Sequence, residues 1–167
     1  ARNSFAAVWH FHDDDHWPDL YIANDFGRNI HLRNRGDGTF EDISETTGTA
    51  DFSTSVGVAS GDIDNDGHPE IYVANMYSKM GRRIIAHVSA DDYPDGVFQQ
   101  IQGSCAGNRL YRRTDASGSY HELSEQLGIN AVGWAYAPAF VDLDSDGWLD
   151  IYASTGFMSF DRHKPDG

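Results

Sequence analysis

One acidic pattern is written three times in this chain, and it limits what the chain can fold into. Residues 62–75 read Asp62-Ile63-Asp64-Asn65-Asp66-Gly67-His68-Pro69-Glu70-Ile71-Tyr72-Val73-Ala74-Asn75. Residues 142–152 repeat it as Asp142-Leu143-Asp144-Ser145-Asp146-Gly147-Trp148-Leu149-Asp150-Ile151-Tyr152. A worn copy stands at 11–24, with Phe11 at position 1 and His16 in place of the glycine, but with Asp13, Asp15, Asp19 and Tyr21 kept. Acids at loop positions 1, 3, 5 and 9 with Gly at 6 bring oxygen ligands together from alternate residues and then turn the chain sharply. That is the requirement of a hard cation such as calcium. Magnesium, which demands a near-ideal octahedron, fits an irregular carboxylate cage less well.

The segments after the loops are not helical. An EF-hand places a bidentate Glu at position 12 and enters a helix. Here position 12 is Val73 or Ala153, inside Ile-Tyr-Val-Ala and Ile-Tyr-Ala runs. Those are strand formers, so each loop feeds a β-strand.

Aligning the copies on Asp19, Glu70 and Asp150 exposes a repeat. A small-residue strand precedes each loop, at Ser4–Val8, Ser55–Ala59 and Ala135–Ala139. A hairpin pattern comes next in the first two copies, from Gly27 to Ile43 and from Gly107 to Leu123, with Gly36-Asp37-Gly38 and Ala116-Ser117-Gly118 as tight turns. Ser44-Glu45-Thr46-Thr47-Gly48 and Ser124-Glu125-Gln126-Leu127-Gly128 then supply short polar links. Four short strands per unit, repeating at roughly fifty residues, predict an all-β fold of four-stranded antiparallel propeller blades. Repeat 1 spans about 4–52, repeat 2 about 53–132 and a partial repeat 3 about 133–156, with a tail at 157–167. Residues 76–106 are an insertion into repeat 2, readable as a tolerated surface excursion or as a lid or partner contact.

These motifs resemble the FG-GAP/VCBS repeat family of integrin-α-type propellers, in the branch that is similar to cartilage acidic protein. The resemblance rests on Asp-X-Asp-X-Asp-Gly-X-X-Asp-Ile-Tyr-Val-Ala-Asn, on the Asn108–Arg112 run and on Gly36-Asp37-Gly38-Thr39-Phe40. It implies a propeller of about seven blades with calcium between the first two strands of a blade. About two and a half units cannot close such a ring. The expectation is therefore part of a larger propeller, or copies that assemble, from a chain that begins with Ala as a processed or partial one does.

The expected ligands of the second loop are Asp62, Asp64, Asp66 and Glu70 with the His68 carbonyl; those of the third are Asp142, Asp144, Asp146 and Asp150 with the Trp148 carbonyl. Asp13, Asp15 and Asp19 are expected to hold calcium weakly or not at all, because Phe11 offers no oxygen and a non-Gly residue resists positive φ. His10, His12 and His16 beside them offer a second reading as a transition-metal site. Cys105 is a lone cysteine, expected to be a buried thiol. Asn29, Arg33, Asn108 and Arg112 are expected to satisfy backbone groups between units. Trp9, Trp17, Trp134 and Trp148 are expected to fill space between units, with stacking on sugar rings as the alternative. The Arg35-Gly36-Asp37 tripeptide falls where turn chemistry already calls for those residues.

The net charge of −14 leaves no basic patch for a nucleic-acid partner. Two calcium ions, +4 in all, would bring it to −10. No apolar run approaches the ~18 residues of a membrane span. No nucleophile–base pairing is readable, so an enzyme is not expected. The sequence supports a calcium-stabilised extracellular, periplasmic or cell-surface module for adhesion or assembly, contacting protein or glycan through its face loops. A carbohydrate-binding propeller and a non-catalytic domain of a larger secreted enzyme are the alternatives.

Overall fold

Two four-stranded antiparallel units and a further strand pair make up the described residues, which are 3–94, 96–114 and 118–156 of a computed structural model. Unit 1 is β1 (Asn3–His10), β2 (Asp19–Arg28), β3 (Ile30–Asn34) and β4 (Phe40–Asp42). A one-turn helix α1 (Ser44–Thr47) comes after it; it stands where the sequence suggested only a polar turn, and Gly48 closes it at φ 76°. Unit 2 is β5 (Phe52–Gly61), β6 (Glu70–Asn75), β7 (Arg109–Arg113) and β8 (Tyr120–Glu122). Within the insertion lie two helices, α2 (Lys79–Ile85) and α3 (Val97–Gly103). Unit 3 contributes β9 (Ala135–Val141) and β10 (Asp150–Thr155).

Register repeats as strictly as the sequence does. The residue before each loop pairs with the acid at position 9: His10 with Asp19, Gly61 with Glu70, Val141 with Asp150. Tyr21 faces His31 on β3, and Tyr72 faces Leu110 on β7. A bulge falls at Ser4/Ala6 in unit 1 and at the corresponding Ser55/Gly57 in unit 2.

The units are joined by hydrogen bonds as well as by packing. β2 runs past its own unit, and Asp25–Arg28 pair with Phe52–Thr54 of β5, so β1 to β8 form one curled antiparallel sheet. At the next junction Gly57 lets β9 pass close to β5, since a Cβ there would strike the Tyr136 carbonyl.

The core between units 1 and 2 is built from Tyr21, Ala23, Ile71, Val73, Tyr111 and Tyr120, with Ala6, Val8 and Val58 against it. Each large side chain so buried contributes about 1.5–3 kcal/mol. Tyrosine, not tryptophan, fills this space. Trp9, Trp17, Trp134 and Trp148 are all 43–58% exposed, which corrects the expectation that they occupy the core.

Three further expectations change. Cys105 is only partly buried. Asn29 and Asn108 satisfy backbone within their own units, accepting from the Asn24 and Asn75 amides at 2.8 Å. Arg33 and Arg112 turn instead toward the acidic loops. The Arg35-Gly36-Asp37 side chains are spent on the turn, as expected: Arg35 pairs with Glu41 at 3.2 Å, and Asp37 accepts from the Thr39 amide and hydroxyl. Ala116, Ser117 and the tail 157–167 lie outside the described residues.

Candidate metal centres

Each loop is closed by the acid at position 9, which accepts the backbone N–H of position 2. Asp19 accepts from His12 at 2.7 Å, Glu70 from Ile63 at 2.9 Å and Asp150 from Leu143 at 3.1 Å. Position 1 turns the loop. Asp62 accepts from the Asp66 and Gly67 amides at 3.1 and 2.9 Å, and Asp142 from Asp146 and Gly147 at 3.1 and 3.0 Å. Phe11 cannot do this. Position 5 accepts from position 7 in all three loops: Asp15 from Trp17, Asp66 from His68 and Asp146 from Trp148.

Gly67 and Gly147 adopt φ 90° and 88°, as a position-6 glycine must. Asn65 and Ser145 at position 4 are also left-handed, at φ 56° and 65°, which the pattern of acids did not signal. His16 takes φ 65°, so the first loop turns without its glycine.

Carboxylate oxygens converge in two places. Asp62, Asp64 and Glu70 offer ligand atoms within 4.8 Å of one another, as do Asp142, Asp144 and Asp146. Asp66 and Asp150 fall outside these trios.

The second loop is short of positive charge. Glu70 is 1% exposed, and burial, with repulsion from Asp66 and Asp62, pushes its carboxyl up to about 7 against the pull of the Ile63 amide. Asp64 Oδ1 is buried with no hydrogen-bond partner. A divalent cation answers both, so the residues present fit calcium. From β7, Arg112 forms an ion pair with Asp64, and its Nε lies 3.6 Å from Glu70 Oε1. The acids of the third loop are more exposed.

The first loop is filled differently. Arg33 Nε stands 2.7 Å from Asp13 Oδ2, an ionic contact without hydrogen-bond alignment, and its Nη2 is 3.4 Å from Asp15 Oδ2. Asp19 also accepts the Asn34 amide at 2.8 Å, so each of its oxygens already has a backbone donor. Asp14 lies 3.7 Å from Arg113 and 3.9 Å from His68 of unit 2.

Beneath this loop lies a buried trio that sequence spacing groups wrongly. His10 and His12 are together, but their third member is His31, not the exposed His16. His10 Nε2 and His31 Nε2 are 2.9 Å apart, so one donates and one accepts. The direction is set at the far end of the hydrogen-bond chain. Thr47 donates to the Ile43 carbonyl at 2.8 Å, so Thr49 donates to Thr47, and His31 Nδ1–H donates to Thr49 at 3.2 Å. His31 Nε2 therefore accepts from His10 Nε2–H, and His10 Nδ1 is left as a buried lone pair without a partner. His12 faces the Tyr120 hydroxyl at 3.5 Å. Burial, then the neighbouring histidines, lowers His10 to about 4 and His31 to about 2; burial also lowers His12. These rings do not bring three ligand atoms together, so among the described residues the transition-metal reading of His10, His12 and His16 finds no such cluster.

Residues 12–73 match the FG-GAP-like repeat family, from the first loop to the second strand of unit 2. The chain is 28% identical to cartilage acidic protein 1 of Xenopus tropicalis over 172 residues, and 27% identical to cartilage acidic protein 1 of Homo sapiens over 171 residues. Each match covers 83% of this chain and 26% of the relative, so the chain spans about a quarter of the length of these curated relatives. The chain thus carries an FG-GAP-like repeat and is distantly similar to cartilage acidic protein 1.

Proposed function

We propose that this chain is a calcium-stabilised structural and interaction module, built as propeller blades of an extracellular or cell-surface protein. The observation that carries it is the second loop: three carboxylates within 4.8 Å, one of them fully buried, and one buried oxygen without a partner. A cation there ties β5 to β6 and neutralises acids that otherwise repel. Asp62, Asp64, Asp66 and Glu70 would hold one ion with the His68 carbonyl. Asp142, Asp144, Asp146 and Asp150 would hold another with the Trp148 carbonyl. The FG-GAP-like repeat and the likeness to cartilage acidic protein 1 support the same reading.

Further blades, or a second copy, cover the two outermost units. These are the outer side of unit 1, where Phe5 and Trp9 of β1 are 61% and 58% exposed, and the β9–β10 pair, where Val141 and Tyr152 are 37% and 53% exposed. A glycan partner is favoured by one observation, the half-exposed Trp17 and Trp148 at position 7 of their loops. Calorimetric titration with calcium, paired with thermal melts in chelator, tests the metal reading. Two ions bound and a melt lowered by chelator are expected; a melt indifferent to chelator overturns it.

A further inference from the structure

Arg33 and Arg112 occupy the same register of their third strands, paired across to Glu41 and His121. Both reach back to the acidic loop of their own unit, yet they meet it differently. Arg33 spans Asp13 and Asp15, the acids at positions 3 and 5. Arg112 spans Asp64 and Glu70, at positions 3 and 9.

The oxygens at stake in the second loop can be named. Glu70 Oε2 is taken by the Ile63 amide, and both Asp62 oxygens by the turn. Each of these oxygens keeps a second lone pair for an ion, and Asp64 Oδ1, Asp64 Oδ2 and Glu70 Oε1 stand beside them as further ligand atoms. Arg112 stands on the last two. A guanidinium and a divalent cation cannot share them at ligand distance, because like charges a few ångströms apart repel.

We infer that these third-strand arginines are resident counter-ions that compete with calcium for the loop acids. The inference rests on the calcium reading above. In loop 1 the arginine has the site: each Asp19 oxygen accepts an amide, Phe11 gives nothing, and Arg33 pairs with both Asp13 and Asp15. In loop 2 the two cations exchange. Calcium displaces Arg112 from Asp64 and Glu70, and Arg112 holds those acids together when calcium is absent. In loop 3 no salt bridge to a basic side chain is found among the described residues.

The test is calcium calorimetry on the chelator-treated full chain, with Asp144→Asn as the loop-3 control. Arg112→Gln is expected to tighten the loop-2 site about tenfold, the scale of one positive charge removed beside a divalent ion. Arg112→Lys, which keeps the charge, is expected to bind like the unaltered chain. A loop-2 affinity that is unchanged or weaker in Arg112→Gln, while Asp144→Asn still removes one ion, overturns the inference and spares the calcium reading. No calcium heat in any variant overturns both.

Loop 1 gives an arm that needs no calcium. Arg33→Gln is expected to lower the melt in chelator, and Asp13→Asn in that background to restore much of it. A double variant that melts no higher than Arg33→Gln alone overturns the counter-ion assignment there.

Discussion

Units 1 and 2 share a backbone and differ in the side chains that fill it. Register, bulge and the position-9 clamp are the same in both. Unit 1 has His10, His12 and His31 where the repeat alignment gives unit 2 Gly61, Ile63 and Leu110. The acids of loop 1 are met by Arg33 and two backbone amides; those of loop 2 include a buried oxygen with no partner. The comparison teaches that the loop acids carry two separable duties. The acid at position 9 closes the loop through the backbone in every copy. The acid at position 3 needs a counter-charge, and either a guanidinium or a metal ion can be one.

Removing the two clamps should separate these duties, and should produce the largest effects of any single substitution. Asp19→Ala leaves the buried His12 amide and the half-buried Asn34 amide without acceptors, a loss of about 3 kcal/mol at the usual cost per orphaned group. That loss is expected to be the same in calcium and in chelator. Glu70→Ala orphans one amide, and in chelator it also relieves a poorly solvated carboxyl, so about 1 kcal/mol is expected there. In calcium it loses the metal's contribution as well. Denaturant titrations of both variants in both conditions decide it. Equal calcium dependence for Asp19→Ala and Glu70→Ala would erase the distinction between the loops.

Loss of a single bound ion ranks second in size, and chelation of the unaltered chain removes two. A ligand bound only to the folded state at a hundredfold excess over Kd stabilises by about 2.7 kcal/mol. For a chain of this size that is a melting shift of roughly 5–11 °C. Asp64→Ala and Asp144→Ala are each expected to remove about one bound ion and part of the shift. Asp13→Ala is expected to leave the calcium-dependent part untouched while lowering the melt slightly, by less than about 1 kcal/mol, through its pairing with the half-exposed Arg33. A third ion lost in Asp13→Ala would show that loop 1 is a metal site after all.

Much of this arrangement is legible in the sequence. The strand–loop–strand pattern and the hairpins come from local chemistry: alternating acids, a glycine at position 6, and β-branched or aromatic runs. The fillers are not legible in the same way. Arg33 lies 18 residues beyond Asp15, and Arg112 lies 48 residues beyond Asp64. Only the pairing of β2 with β3, and of β6 with β7, brings each arginine to its acid. His31 escapes for the same reason, while spacing alone points to the nearby His16. One signal does mark it: His31 falls at the Leu110 position of the other repeat, a polar residue where the alignment asks for a core one. The tryptophans mislead because size suggests burial, while loop position 7 puts Trp17 and Trp148 on the rim.

The effect most specific to the comparison is a pH dependence in which the two units oppose each other. His10 and His31 have folded values of about 4 and about 2, below the ordinary 6.5. The unfolded chain therefore binds more protons below 6.5, and stability is lost as pH falls through that value, by roughly 2 kcal/mol for each histidine and about 4 kcal/mol for the two by pH 5. Glu70 runs the other way. Its folded value of about 7 lies above the ordinary 4.5, so the folded state binds the extra proton between the two, and stability grows as pH falls from 7 toward 4.5. In chelator Glu70 offsets about half of the histidine loss, and stability should fall by only about 2 kcal/mol between about pH 7 and about pH 5. In calcium the opposition ends, because the bound ion requires Glu70 as a carboxylate; acid then costs both the histidine contribution and the metal. Melts across this range are expected to fall less in chelator than in calcium. Glu70→Gln should make the chelator profile steep, and His31→Leu, which writes the unit 2 residue into unit 1, should flatten the calcium profile. Parallel profiles in calcium and chelator would mean that the buried carboxyl of unit 2 is not the group that meets the ion.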